Sequence, residues 1–152
     1  MDDPHLFGED SATATRFYPG RILNQTWFQS GGSGMAGTAA DFMLFLNALQ
    51  RGGEPILKRE TLAMASRNHV GDLPREDAGW RFGLLSAILY DPRAADTPLS
   101  PGTLEWGGSW GHRWFVDPSA GIAGVVLTNT TMEGVNGAYP REVYRAVYGS
   151  DR

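Results

Sequence analysis

Residues 104–128 read LEWGGSWGHRWFVDPSAGIAGVVLT, and this stretch decides the fold. Two runs, Leu104–Val116 and Ile122–Thr128, are rich in aromatic and β-branched residues, which suit a pleated, half-buried surface. Between them stand Asp117-Pro118-Ser119-Ala120-Gly121, a run of turn formers short enough to make the flanking strands an antiparallel hairpin. In a regular strand Trp106, Gly108, Trp110, His112, Trp114 and Val116 would share one side. A helix covering that side is the plain expectation for so many indoles; a ligand wall is the sharper one. Upstream, Trp80–Tyr90 (WRFGLLSAILY) has the same character and predicts a third strand.

Working outward, the period changes from two to 3.6. Thr38-Ala39-Ala40-Asp41 has the spacing of a capping box and opens a run that ends on Gly52-Gly53. Phe42, Phe45, Leu46 and Leu49 recur on one helical face, so the pattern predicts a helix over about 38–51. A shorter helix is expected at 59–67, after Pro55. A third is expected at 140–148, where Pro140 suits the first turn and Val143, Tyr144, Val147 and Tyr148 form an apolar face. Residues 1–37 are punctuated by Gly, Ser, Pro, Thr and Asp and read as an irregular segment before a domain at 38–152. The fold class expected is α+β: an antiparallel sheet of at least three strands with flanking helices.

Composition narrows the function classes. The 152 residues are 41% hydrophobic and 20% charged, a globular balance. The net charge is −4 with no basic run, so the footprint needed on a nucleic-acid backbone is missing. No apolar stretch is long enough for a membrane span, and the acidic start MDDPHLFGED is unlike a signal peptide. With no cysteine, thiolate metal sites and cysteine nucleophiles are excluded. His5, His69 and His112 are too scattered to form a metal motif by spacing, and no cofactor motif is present. Asn24-Gln25-Thr26 and Asn129-Thr130-Thr131 match glycosylation sequons by letters alone.

Several short motifs occur in a telling order. Gly32-Ser33-Gly34-Met35 leads into the first helix; then follow Arg81-Phe82-Gly83-Leu84, Trp106-Gly107-Gly108-Ser109-Trp110-Gly111, Val116-Asp117-Pro118 and Gly124-Val125-Val126-Leu127-Thr128-Asn129. From about residue 27 onward this order resembles the C-terminal part of the serine β-lactamase-like hydrolases. It resembles in particular the class C β-lactamases and the esterases of carboxylesterase family VIII, with penicillin-binding proteins as wider kin. The resemblance implies an acyl-enzyme mechanism on esters or β-lactams. It also implies three active-site motifs: Ser-x-x-Lys, Tyr-x-Asn, and a third on a strand that reads Lys-Thr-Gly, His-x-Gly or Trp-Gly-Gly. Only the third is matched here, by Trp106-Gly107-Gly108, which makes these the expected substrate-binding residues. The single lysine, Lys58, has Pro55 three residues before it, and no tyrosine stands two residues before an asparagine. Ser66-Arg67-Asn68 matches a Ser-x-Asn variant only by letters.

Three readings follow. The chain is the C-terminal portion of such a hydrolase, completed by a nucleophile-bearing N-terminal half or another chain. Alternatively, it is a non-catalytic binding module on the same scaffold. A third reading takes Gly107-Gly108-Ser109-Trp110-Gly111 as Gly-x-Ser-x-Gly, with Ser109 as nucleophile, His112 as base and Asp117 to orient it. That motif needs a strand, a sharp turn and a helix, whereas Ser109 is followed by more strand. The resemblance also implies that strands and a helix from the missing part would cover this sheet. An exposed edge and an oligomer or obligate partner are therefore expected.

Overall fold

The computed structural model describes residues 19–32, 34–73 and 78–149. Residues up to Gly37 and residues from Thr38 form two compact units. In the first, Pro19–Leu23 makes a short 3-10 helix where the sequence predicts irregular chain; residues 1–18 of that segment lie outside the described residues. Asn24 then organises a turn, its Oδ1 accepting from the Thr26 N–H at 3.0 Å and the Thr26 hydroxyl at 2.8 Å.

The second unit is a five-stranded antiparallel sheet with helices on both faces. Two helices come first, α1 (Ala39–Gln50) and α2 (Arg59–Ala65). The strands are β1 (Trp80–Phe82), β2 (Ala87–Leu89), β3 (Leu104–Gly108), β4 (His112–Asp117) and β5 (Ile122–Val126). Two helices follow, α3 (Met132–Asn136) and α4 (Ala138–Tyr148). Strand order in the sheet equals order in the chain.

Two sequence expectations change here. The expected strand at 80–90 is a hairpin, because Gly83-Leu84-Leu85-Ser86 turns the chain and Gly83 donates to the Ser86 carbonyl at 2.9 Å. The expected strand at 104–116 is also a hairpin. Its turn is Ser109-Trp110-Gly111, where the Gly111 N–H reaches the Gly108 carbonyl at 2.9 Å and Gly111 adopts φ +95°. A three-residue hairpin loop of this kind needs a residue at positive φ, and glycine takes it without steric cost. Helix α3 is a further element that the sequence pattern does not signal.

Alternation along the strands sorts the core into two layers. Ile88, Leu104, Trp114 and Val116 point to one face and pack with Leu46 and Leu49 of α1 and Leu62 of α2. Trp80, Ala87, Leu89 and Phe115 point to the other and pack with Leu99 and with Tyr144 of α4. The α1 start is secured by the capping box: Asp41 N–H donates to Thr38 Oγ1 at 3.1 Å, and the Asp41 carboxylate accepts back from Thr38. On α4 the inward residues are Pro140 and Tyr144, and the Tyr144 ring meets Phe115 edge-on at 5.1 Å.

Asp117, at the end of β4, is fully buried and ties the layers together. Its carboxylate accepts from the Ser100 and Ala120 N–H groups, each at 2.9 Å, and from the Tyr148 hydroxyl at 2.8 Å. Its carbonyl accepts from the Gln50 side chain of α1. Burial alone would raise the carboxyl pKa, but these donors outweigh it and hold the group below its usual range.

Candidate functional site

The register of β3 shows what is unusual about Trp106-Gly107-Gly108. Strand β4 pairs with β3 along its whole length, from Leu104↔Val116 to Gly108↔His112. Strand β2 pairs only with the start, at Ala87↔Glu105 and Ile88↔Leu104. Among the described residues, then, the stretch Trp106–Gly108 has a strand neighbour on one side and an open edge on the other. The pairing with β4 runs on without an extra residue, so the two glycines do not mark a bulge. An open edge presents backbone N–H and C=O groups to whatever lies beside it, and glycines let that object approach closely.

The side chains around this edge are aromatic and neutral. Trp106 and Trp114 are cross-strand partners and so share the α1 face, as the alternation predicts. Their surroundings differ. Trp114 is buried, with the Phe42 ring 6.2 Å away, and satisfies the plain reading of an indole under a helix. Trp106 is 44% exposed, with the Phe82 ring 5.7 Å from its own. Trp110 leaves this row because it sits in the turn. The His112 ring lies over Gly108, where an added Cβ would come within 2.4 Å of Nε2. Burial pulls the His112 pKa below its usual value, so the imidazole is neutral at pH 7.

Behind the edge, on the α4 face, lies a charged group the sequence reading did not single out. Glu105 is buried, flanked by Leu104 and Trp106 along β3. It accepts a hydrogen bond from the Arg113 guanidinium on one oxygen and from the Tyr144 hydroxyl, at 2.5 Å, on the other. Arg113 also donates to the Val135 carbonyl of α3. Burial alone would lower the Arg113 pKa, but the hydrogen bond and charge of Glu105 reverse the direction. Burial, reinforced by the Glu105 charge, pushes the Tyr144 hydroxyl well above its usual value, so it remains a donor throughout the ordinary pH range. The signal was a glutamate and an arginine in two hydrophobic strands, each on a face that should be apolar.

The three residues of the Gly-x-Ser-x-Gly reading are not brought together as a triad. Ser109 is exposed at the hairpin tip, in a strand–turn–strand setting, and among the described residues no hydrogen bond joins it to His112. Asp117 sits at the far end of β4 from His112, roughly 16 Å along the strand at 3.3 Å per residue. Ser66-Arg67-Asn68 follows α2, and the Asn68 side chain closes a local turn with Val70 and Gly71. No group of three or more His, Asp or Glu placed to hold a metal occurs among the described residues.

Comparison with known proteins agrees with this geometry. The profile of the Beta-lactamase family matches residues 2–148. The chain belongs to that family. It is 43% identical over 142 residues to the esterase EstB of Burkholderia gladioli, covering 92% of this chain and 36% of EstB. Among solved structures, EstCE1, described as a hydrolase with promiscuous acyltransferase activity, superposes with a TM-score of 0.79 at 41% identity. That match covers 93% of this chain and 38% of EstCE1. Simvastatin synthase (LovD) from Aspergillus terreus, at 17% identity and a TM-score of 0.58, shares the fold. The chain thus spans little more than a third of the length of EstB or EstCE1. Among the described residues, no helix is long and apolar enough to cross a membrane.

Proposed function

We propose that this Beta-lactamase-family chain supplies the substrate-binding wall of a serine ester hydrolase, with the nucleophile and its base carried by another part of the polypeptide or by a second chain. The observation that carries the reading is the open edge at Trp106–Gly108. An acyl-enzyme forms when a hydroxyl, deprotonated by a neighbouring base, attacks the ester carbonyl and expels the alcohol; water then releases the acid. The tetrahedral oxyanion on the way needs N–H donors fixed in advance, and an open strand edge is a row of such donors. Trp106 beside the edge offers an apolar surface to the acyl or alcohol group.

A neutral ester suits this wall better than an anionic β-lactam. On the α1 face the β3–β4 residues at this edge are Trp106, Gly108 and a neutral His112, none of which offers a cation to a carboxylate. Arg113 on β4 is turned to the other face and committed to Glu105 and Val135. The relative EstB is an esterase by name, which supports an ester as the substrate class.

The same scaffold also has an edge at β5, which pairs only with β4 among the described residues. Ile122–Val126 carries no charge, so association with a completing segment or with a second copy through this edge belongs to the proposal. A mass by light scattering that stays monomeric at every concentration would count against it.

The test is hydrolysis of p-nitrophenyl butyrate by the chain alone, by its Ser109→Ala variant, and by the chain mixed with or grafted onto the preceding part of EstB. No rate above background is expected from the chain alone. Ester turnover is expected from the completed protein, falling at least tenfold in Trp106→Ala. Activity of the isolated chain that disappears in Ser109→Ala would replace this reading with the small-esterase one. A folded graft with no turnover would favour a non-catalytic binding module.

A further inference from the structure

The Glu105–Arg113–Tyr144 group lies directly behind the open edge, and its energetics argue against a role in stability. Taking two charges out of water costs several kcal/mol, and an apolar pair of similar volume often serves the fold as well or better. Arg113 and Glu105 have side-chain exposures of 18% and 4%, so this cost applies to both. What the ion pair supplies that leucine or methionine would not is direction. Arg113 stands opposite Gly107 in the β3–β4 register, and Glu105 is the residue before Trp106. Through Arg113 the pair reaches the α3 carbonyl of Val135, and through Tyr144 it reaches α4.

The backbone held in this way is paired on one side only. Beyond Glu105 strand β3 has no β2 partner, and Gly107 and Gly108 contribute no side chains to pack. Gly107 is itself closely covered: a Cβ there would lie 3.2 Å from both the Val135 side chain and the His112 carbonyl. The Arg113–Val135 bond therefore sets how far α3 stands off the glycine.

We infer that Glu105, Arg113 and Tyr144 are positioning residues for the Trp106–Gly108 edge, holding from behind the backbone whose front receives substrate. The inference rests on the proposed hydrolase reading for its functional meaning, but its structural content can be tested without it. A merely structural role would loosen the whole domain when the group is weakened. A positioning role loosens the edge alone.

The experiment is amide hydrogen exchange on the 152-residue chain, comparing the parent with Tyr144→Phe, Glu105→Gln and the apolar pair Glu105→Leu/Arg113→Met. Tyr144→Phe removes one hydrogen bond and keeps the ring on Phe115. Exchange at those amides of residues 106–108 that bond to β4 is expected to quicken about tenfold in each variant, with Leu46 and Leu49 of α1 unchanged. In the apolar pair the unfolding midpoint should stay level or rise while the edge still loosens. Equal acceleration in α1, no acceleration at the β4-bonded amides of 106–108, or exchange there already as fast in the parent as in the Ser109–Gly111 turn would each overturn the inference. In the completed enzyme, kcat for p-nitrophenyl butyrate should fall about tenfold in Tyr144→Phe, with KM within about twofold. Should the folded graft show no turnover, the hydrolase reading fails, and the exchange data still decide whether these residues position the edge.

Discussion

The imidazole of His112 lies on the α-carbon of Gly108, its partner across the β3–β4 hairpin, so that a methyl group at 108 would meet Nε2 at 2.4 Å. The ring is the movable end of a side chain, so Gly108→Ala should swing it outward rather than break the hairpin. The cost to stability should be about 1 kcal/mol. Freed from burial, His112 should titrate nearer its ordinary value of about 6.5. Proton NMR of the ring across pH 5–8 reads this directly; a titration identical to the parent would show that Gly108 is not what allows the ring to be buried.

Gly111 is constrained differently. Its φ is +95°, and a Cβ there would lie 2.6 Å from Thr128 Oγ1 and 2.8 Å from the Thr131 backbone nitrogen. A rotamer change cannot relieve contact with backbone. Gly111→Ala should therefore destabilise the chain by roughly 2–3 kcal/mol, at the upper end for a strained residue. Gly102, with φ +88° but open space around it, is the control and should cost about 1–2 kcal/mol on substitution. Urea unfolding of both variants measures the difference, and equal losses would refute the crowding at Gly111.

Trp106 and Trp114 face each other across two strands but should answer substitution in opposite ways. Trp114→Ala empties a site between α1 and the sheet and should cost about 3–5 kcal/mol. Trp106→Ala, at a half-exposed position, should cost about 1 kcal/mol. Thermal denaturation distinguishes them; a large loss in Trp106→Ala would mean that its indole is core.

Asp117 sets an acid limit. Its carboxyl pKa is lowered in the folded chain, so protons bind more readily to the unfolded one. The stabilisation is complete above the unfolded value of about 3.9 and is lost as pH falls through the folded value below it. At pH 7, Asp117→Asn should cost about 1–3 kcal/mol, since a neutral amide accepts these hydrogen bonds less well. That gap between parent and variant should narrow below about pH 4. Denaturation midpoints at pH 7 and pH 3 are the check, and a gap independent of pH would assign the role to shape alone.

The sequence made the elements legible wherever a strong local signal stood. Thr38 and Asp41 announced the start of α1, and Asp117-Pro118 announced the β4–β5 turn. It misled where a turn was made of residues that also suit strands. Leu84-Leu85 and Ser109-Trp110 carry no Asn or Pro, and only the positive φ of Gly111 and the hydrogen bond of Gly83 turn the chain there. Of the site, Trp106-Gly107-Gly108 was visible as a motif. The open edge was not, because it depends on where β2 stops, a fact of register rather than of residue type. Glu105, Arg113 and Tyr144 stand far enough apart in the chain that only the hairpin and α4 bring them together.

Because strand order follows chain order, every pairing in this sheet joins neighbours in sequence. Such a meander has a low contact order for a β-rich structure, and the short β1–β2, β3–β4 and β4–β5 loops are closed at small entropic cost. The β3–β4 hairpin, joined through three residues, can form first and template β5 on one side and β2 on the other. Docking of α1 is expected to follow, since its partners Trp114 and Val116 lie far downstream in the chain. Mutations in the Ser109–Gly111 turn should thus slow folding, whereas mutations on the buried face of α1 should chiefly speed unfolding.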